Sequence, residues 1–199
     1  MAINYAALKA ECQNNPNAYS YTDPASGTTL TLAQWFASGA DAATAACLNE
    51  LVPTFFVYRT EIPVSEMFDA IIWANFTPSD AVPTDTSLNN DIYQSRQIAC
   101  QTKQMNLQTM LMGQASINGA KANIRAGLSD ALTGIPSGAG GATRSAGWTN
   151  VRDTVLARAA TRAEKLYATG GNGATAATAA TLTFEGALTP QDIQAARAV

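Results

Sequence analysis

Histidine is missing from this sequence, and charged residues are scarce. The absence of histidine among the 199 residues excludes Ser-His-Asp and Cys-His catalytic groups, zinc sites that use imidazole, and an imidazole base near neutral pH. Asp, Glu, Lys and Arg make up 14% of the chain, whereas a typical soluble domain carries about 25%. Because a surface with few charges promotes association, we expect much of this surface to contact other subunits.

Targeting and redox motifs are also missing. The sequence has no basic segment followed by an apolar run near its N-terminus. It has no apolar run close to the roughly 18 residues that span a bilayer, so we expect a soluble protein that does not contact membranes. Its three cysteines, Cys12, Cys47 and Cys100, form no CxxC pair, which excludes a zinc ribbon and a thioredoxin-type site. We interpret them as buried reduced thiols, with pairing between subunits as the alternative.

Helical patterns dominate the chain. Capping residues and apolar spacings of three and four residues predict helices over Tyr5–Gln13, Thr31–Phe36, Ala42–Leu51, Ser65–Asn75, Leu88–Met112, Gly119–Thr133, Trp148–Ala168 and Pro190–Val199. In the longest of these helices, the residues in helical register are Leu88, Ile92, Ala99, Leu107 and Leu111. Its other faces carry Gln, Asn, Ser and Thr instead of charges, which favours a subunit contact over open water.

Two segments have the composition of strands. Thr54–Ile62 is rich in aromatic and β-branched residues between two prolines, and Thr181–Glu185 alternates apolar and polar residues. We expect the two to pair as a small antiparallel ribbon that lies against helices or another chain. The predicted fold is mainly α, a helical bundle with this two-stranded antiparallel β appendage and extended arms. Residues 1–173 would form the core, and residues 174–199 a C-terminal arm with the second strand and a short terminal helix.

Motifs for catalysis or ligand binding are weak. The glycine-rich loop Gly134–Gly147 lacks the lysine of a P-loop and the third glycine of a dinucleotide loop, so we interpret it as a flexible connection. Glu61, Glu66 and Asp69 are close in sequence, and the last two share a predicted helix face, but acids at a helix start usually complement its dipole. We expect no catalytic residue, cofactor or metal ion. A small carboxylate-dependent enzyme is the weakest alternative.

Basic and aromatic side chains supply the candidates for a subunit interface. Spacings of four and three place Arg158, Arg162 and Lys165 together on the predicted helix Trp148–Ala168. Because the net charge is -3, unaided nucleic-acid binding is disfavoured. We expect their stems to cover apolar surface or their charges to pair with carboxylates of a neighbour. The aromatic candidates are predicted first as core and second as interface anchors. The full set of interface candidates is Phe55, Phe56, Tyr58, Leu182, Phe184, Arg158, Arg162 and Lys165.

A resemblance to a known family extends over nearly the whole chain. It rests on six segments that occur in this order: INYAALKAECQNNP, AATAACLNE, RTEIPVSEMFDAIIWANF, IRAGLSDALTGIPSG, ARAATRAEKLYATG and TLTFEGALTPQDIQAARA. The most specific parts are LNE followed by RTEIPVSEMFDA, and the terminal TPQDIQAARA. In these segments the sequence resembles a family of small virion structural proteins of tailed bacteriophages.

The resemblance implies a non-enzymatic building block of a phage virion, made in the host bacterial cytoplasm and present in many copies. Similarity in size and style to known connectors favours the neck, as a head-to-tail adaptor or collar in a ring with the portal and tail. The predicted ribbon, the Ala/Thr tract Ala174–Thr181 and the C-terminal helix would then be docking arms. A capsid-surface or tail-fibre attachment protein is the alternative. The expected partners are other copies of this chain and the portal, tail or other virion proteins, and incidental contact with packaged DNA stays open.

Overall fold

The computed structural model describes residues 3–78, 88–138 and 142–199, with only the backbone at 88–90. Contacts within the chain divide it into two units. The first unit consists of Met1–Val57 and Ala159–Val199, and the second consists of Tyr58–Arg158. The boundary expected at 173/174 falls inside the first unit, so the C-terminal segment belongs to the same unit as the N-terminal helices.

Helices and short strands alternate along the chain. Among the described residues there are nine α-helices: α1 Tyr5–Asn14, α2 Leu32–Ala37, α3 Asp41–Asn49, α4 Val64–Ala70, α5 Leu88–Leu111, α6 Ala122–Leu132, α7 Trp148–Asn150, α8 Arg162–Leu166 and α9 Pro190–Ala198. A 3₁₀ turn covers Trp73–Phe76, another covers Ala176–Thr178, and a π-helical turn covers Val151–Leu156. The strands are β1 Ser20–Thr22, β2 Thr29–Thr31, β3 Leu51–Tyr58, β4 Ile62–Pro63, β5 Ser116–Ile117, β6 Ile135–Pro136, β7 Thr143–Arg144, β8 Ala157–Thr161, β9 Ala168–Thr169 and β10 Thr181–Leu182.

The fold is a mixed α/β fold, so the predicted helical bundle with one ribbon is wrong. Helices account for 52% of the residues and strands for 18%. Within the described ranges, the strands pair as β1–β2, β3–β8, β4–β5, β6–β7 and β9–β10. Most of these strands have two or three residues, which is too short to produce an alternating apolar pattern in the sequence. Sequence periodicity therefore detects the helices and misses most of the sheets.

The predicted ribbon is also wrong in its pairing. β3 pairs with β8, and the bonds from Arg162 N to Glu50 O and from Arg59 N to Leu156 O, each 2.9 Å, show that these two strands are antiparallel. β10 pairs instead with β9, with Leu182 opposite Ala168. The segment before β10 contacts β3 through a parallel bridge between Val57 and Ala180.

The single helix predicted over Trp148–Ala168 is also wrong. The chain there forms α7, the π-helical turn, β8 and α8 in succession. Thr161 ends the strand and caps α8, since its hydroxyl accepts from Glu164 N while the Glu164 carboxylate accepts from Thr161 N. Pairing with β3 thus overrides the helix propensity of the alanines in β8.

Six of the predicted helices are confirmed to within three residues at each end: α1, α2, α3, α5, α6 and α9. In α1, α2 and α9 the first turn is capped by a neighbouring side chain, a local signal that explains the agreement there. Asn4 caps α1 by accepting from Ala7 N at 3.1 Å, and Thr189 caps α9 in a reciprocal arrangement with Asp192. α4 ends at Ala70, earlier than predicted, and a 3₁₀ turn follows.

The core of the first unit gathers residues from both ends of the chain. α9 packs on α1 and α3, and its Ile193 and Ala196 are fully buried. Asn49 binds the loop before α9, because its side chain donates to Leu188 O at 2.9 Å and accepts from Leu188 N at 2.8 Å. The buried cluster consists of Leu8, Cys12, Leu32, Phe36, Ala45, Cys47, Leu48, Ala163, Tyr167, Phe184, Leu188, Ile193 and Ala196.

The second unit is built around α5, which packs on α6 and β6, and around α4, which packs on the π-helical turn. Its fully buried residues include Ile62, Met67, Leu107, Leu128 and Ile135. Within the described parts of the chain, no helix has both the length and the hydropathy needed to cross a bilayer.

Candidate assembly surface

The aromatic interface candidates of β3 are largely covered by their own chain. Phe55 is half-buried and packs on the cluster Val57, Ala160, Ala180 and Leu182. The backbone N of Phe56 donates to Gly173 O at 2.7 Å. Tyr58 is buried, and the guanidinium carbon of Arg125 lies 3.9 Å from its ring centroid. Tyr58 is thus a core residue, whereas the side chains of Phe55 and Phe56 are half-buried, and a role for any of the three between subunits stays a prediction.

The two C-terminal candidates lie in apolar clusters of the first unit. Leu182 is buried beside Val57, and the ring of Phe184 packs edge-on against Tyr167 with centroids 5.5 Å apart. Tyr167 is itself buried, and this burial raises its pKa to about 12. A role for either candidate between subunits stays a prediction.

The three basic candidates do not share a helix face, because Arg158 lies in β8 whereas Arg162 and Lys165 lie in α8. The Arg162 guanidinium is 2.7 Å from Glu50 and also donates to Ser20 O at 2.9 Å. The Lys165 ammonium lies 5.7 Å from the ring centroid of Phe55 and 3.4 Å from Asn17 Oδ1, and Arg158 also has interaction partners. In the described structure, Arg162 and Lys165 therefore contact other residues of the first unit.

The three carboxylate candidates have different surroundings. Arg59 donates to both oxygens of Glu66, at 2.5 and 3.3 Å, and this bond lowers the pKa of Glu66. Glu61 and Asp69 are exposed. Among the described residues, no group of three or more Cys, Asp or Glu side chains has the arrangement of a metal site.

The flanks of the glycine-rich loop are paired, which differs from the flexible connection expected. Ile135 lies opposite Arg144 in the β6–β7 pair, and the Arg144 Nε donates to Asn75 O at 3.1 Å. Residues 139–141 of this loop lie outside the described residues.

All three cysteines are fully buried, and none of them forms a disulfide. Burial raises the pKa of the Cys12 thiol to about 12 and also raises that of Cys47. Because the thiolate is the reactive form, these two cysteines are poor nucleophiles in the folded chain.

Helix α5 has two contrasting sides. One side packs into the second unit through Tyr93, Cys100, Leu107 and Leu111, all of them buried. The opposite side carries three large apolar side chains that are mostly exposed: Ile98 at 63%, Met105 at 63% and Met112 at 73%. Met112 directly follows α5, and its N still donates to Gln108 O, so it continues the last turn.

The exposed side of α5 follows a seven-residue repeat. The sequence Gln-Thr-x-x-Met occurs at 101–105 and again at 108–112, and Ile98 stands seven residues before the first methionine. Helical geometry places these residues on one stripe, with no charged side chain among them. We call this stripe the α5 face, and it consists of Ile98, Gln101, Thr102, Met105, Gln108, Thr109 and Met112.

The sequence predicted an uncharged surface on this helix, but the residues that it placed on the buried side are only partly the ones that the structure buries. Leu107 is buried as expected, whereas Ile92 is largely exposed and Ala99 is half-buried. The side chain of Leu88 lies outside the described set. The seven-residue repeat was the signal that could have identified the exposed apolar stripe.

A second apolar surface in the same unit surrounds the end of α4. Phe68 and Ile72 are 39% and 49% exposed, and the Phe68 ring stacks on Trp73 with centroids 5.4 Å apart. We call Phe68, Ile72 and Trp73 the aromatic patch. Ile72 also borders a shallow groove of about 460 Å³ that is lined by Ser145, Gly147, Thr149, Asn150 and Asp153.

The α5 face and the aromatic patch are suited to protein contacts, since their side chains are apolar or neutral. In the aromatic patch the rings of Phe68 and Trp73 adjoin one another, and contiguous exposed apolar surface is typical of interaction sites. No protein-family model matches this chain, and no curated protein and no solved structure matches it either.

Proposed function

We propose that this chain is a non-enzymatic structural protein of a tailed-phage virion, most specifically a neck subunit that forms a ring with the portal and tail. The observation that carries the assembly part of this proposal is the α5 face, where three large apolar side chains lie exposed on a helix side without charge. The virion part of the proposal is based on the resemblance of the six sequence segments to small phage virion proteins.

The two apolar surfaces of the second unit support a ring. Identical subunits in a ring use head-to-tail contacts, in which one surface meets a different surface on the next copy. The α5 face and the aromatic patch differ in shape and composition, so the unit offers more than one apolar contact surface. Portal and tail proteins would cover what the neighbouring copies leave exposed.

Mass spectrometry of purified phage particles tests the virion assignment. We expect the chain at a fixed stoichiometry of many copies per particle, because a structural subunit is incorporated whereas an enzyme of the infected cell is not. Absence of the chain from purified particles would contradict the proposal.

A reconstruction of the particle tests the neck assignment. We expect density for the chain in a ring on the portal axis, between the head and the tail. Density on the capsid surface or on the fibres would support the alternative, an attachment protein, and would refute the neck position.

A further inference from the structure

We propose that Lys165 and Asn17 join in an intramolecular isopeptide bond, with Glu11 moving the proton that the reaction transfers. This inference goes beyond the proposed function, and it does not depend on any phage particle. It rests on a group of three side chains in the first unit that holds the parts such a reaction needs: an amine, a carboxamide and a carboxylate.

The carboxamide of Asn17 lies between the other two groups. Its Nδ2 donates to Glu11 Oε1 at 2.9 Å, and its Oδ1 accepts from Lys165 Nζ at 3.4 Å. Because a C=O bond is about 1.2 Å long, the amide carbon is at most about 4.6 Å from the lysine nitrogen. Attack requires about 3–3.5 Å, a difference that rotation of the lysine side chain can close.

The loop that carries Asn17 is held in place by residues on both sides of it. The side chain of Asn15 accepts from Tyr19 N at 2.7 Å and donates to Tyr19 O at 3.0 Å. The Arg162 guanidinium lies 4.7 Å from the ring centroid of Tyr19, so this loop contacts α8, and Lys165 is three residues further along that helix. Two reacting groups that are positioned within one chain in this way react far faster than the same groups in solution.

Glu11 is suited to transfer the proton. A general base or acid must lie within hydrogen-bond reach of the proton it handles, and the 2.9 Å contact with the Asn17 nitrogen meets this condition. Glu11 is only 7% exposed, which is unusual for a carboxylate. The Phe55 ring, with its centroid 5.7 Å from Lys165 Nζ, restricts the position of the amine.

The atoms of the reaction balance with no oxidant or further reactant. The Nζ of Lys165, in its unprotonated form, attacks Cγ of Asn17, so that the Nζ–Cγ bond forms and the Cγ–Nδ2 bond breaks. Glu11 accepts a proton from the attacking nitrogen and donates it to Nδ2, which leaves as ammonia into the solvent because Asn17 is exposed. Overall, an ammonium group and a primary amide become a secondary amide and an ammonium ion.

The bond would join the two sequence segments that form the first unit. Asn17 and Lys165 are 148 positions apart, so the bond closes a long loop in the unfolded chain. A cross-link of this kind stabilises the folded state mainly by restricting the unfolded one.

Mass spectrometry of the denatured full-length protein tests the bond. We expect the native chain to lack the mass of one ammonia molecule, and Lys165→Arg to keep its full mass, because a guanidinium is not a nucleophile. Lys9→Arg is the matched control, since Lys9 lies in α1, and it should show the native loss. Glu11→Gln keeps the size of the side chain but not its proton transfer, and should slow the loss of ammonia by about a hundredfold or more.

Tryptic peptides distinguish this bond from a succinimide, which loses the same mass at an Asn-Gly sequence such as Asn118–Gly119. The isopeptide bond joins peptide 10–59 to peptide 163–197 in one branched product, because trypsin does not cut at an acylated lysine.

Three outcomes would overturn the bond: a native chain of full mass, a mass loss without the branched peptide, or the same mass loss in Lys165→Arg. An unchanged rate in Glu11→Gln would refute the role of Glu11. Circular dichroism of these two variants checks that they are folded.

Discussion

Arg197 of α9 joins the last helix of the first unit to the start of α3, with its Nε 2.7 Å from Asp41 Oδ1. The same guanidinium lies 4.0 Å from the ring centroid of Phe36 in α2. One side chain near the C-terminus thus contacts two helices from the first quarter of the chain. The side chains of Arg197 and Asp41 are 28% and 15% exposed, which places this ion pair between a surface pair and a buried pair.

Arg197→Ala is therefore expected to destabilise the first unit. Exposed pairs contribute about 0–1 kcal/mol and breaking a buried pair costs about 3–5 kcal/mol, so a loss of about 1–3 kcal/mol is expected here. Urea denaturation gives the value as a shift in midpoint at constant m. Arg197→Lys keeps the charge but loses the planar contact with Phe36, and its loss should be smaller. An unchanged midpoint for Arg197→Ala would contradict the assigned role.

Gly173 and Gly170 form a matched pair for testing backbone strain against steric clash. Both have a positive φ, 65° and 60°, but a Cβ at Gly173 would lie 2.5 Å from the Phe55 ring, whereas one at Gly170 would meet nothing within 4 Å. Gly170→Ala should cost about 1–2 kcal/mol for the left-handed backbone alone. Gly173→Ala should cost more, by about 1–3 kcal/mol of overpacking. Equal midpoints for the two variants in thermal unfolding would refute the contact with Phe55.

The two sides of α5 should respond differently to truncation. Leu107 is fully buried and Ile98 is mostly exposed. Leu107→Ala should cost about 2–5 kcal/mol because it leaves a cavity, whereas Ile98→Ala in dilute protein should change stability by no more than about 0.5 kcal/mol. Chemical denaturation at low protein concentration measures both. A large loss for Ile98→Ala would mean that this side chain already has a partner in the single chain.

Alkaline pH is expected to destabilise the first unit through Cys12 and Tyr167. Both have a folded-state pKa raised to about 12 by burial, from ordinary values of 9.0 and 10.0. The folded state keeps these protons where the unfolded state has lost them, so the stability is fully present below about pH 9 and falls as the pH rises towards 12. Urea midpoints at a series of pH values measure this fall. Tyr167→Phe should flatten the part of the fall above about pH 10, and an unchanged profile would contradict the role of Tyr167.

Deletion of Ala174–Val199 is expected to unfold the first unit. The deleted segment carries Leu188, Ile193 and Ala196, which are buried against α1 and α3. The loss of helical circular dichroism should therefore exceed the share of α9 itself. Deletion of Val199 alone is the control, since this residue is 68% exposed, and it should leave the unfolding midpoint unchanged. A truncated chain that retains its remaining helices and its cooperative unfolding would contradict the expectation.

The parts of the fold that depend on neighbouring residues were predictable from the sequence. Asn4 and Thr189 mark the starts of α1 and α9 because a cap needs only a side chain and an amide a few residues away. The helix predicted over Trp148–Ala168 failed for the opposite reason. Its middle pairs with β3, about a hundred residues earlier in the chain, and no local pattern records that partner.

The candidate site was predictable to a similar degree. An uncharged helix surface was expected on Leu88–Met112, and the structure places Ile98, Met105 and Met112 on its exposed side. The choice of side depends on where α6 and β6 pack, which helical periodicity alone does not specify. The interface candidates Tyr58 and Phe184 proved to be buried, because a sequence pattern does not distinguish an aromatic core residue from an aromatic anchor.

The insertion of the second unit between β3 and β8 has a consequence for the order of folding during synthesis. Tyr58–Arg158 is one continuous segment, so all of its core residues have been made before the last helix leaves the ribosome. The first unit needs α1 and α9 in the same core, and these lie at opposite ends of the chain. Domains fold as units while the chain is being made. The central segment is therefore expected to complete its fold before α9 can join α1 in the core of the first unit.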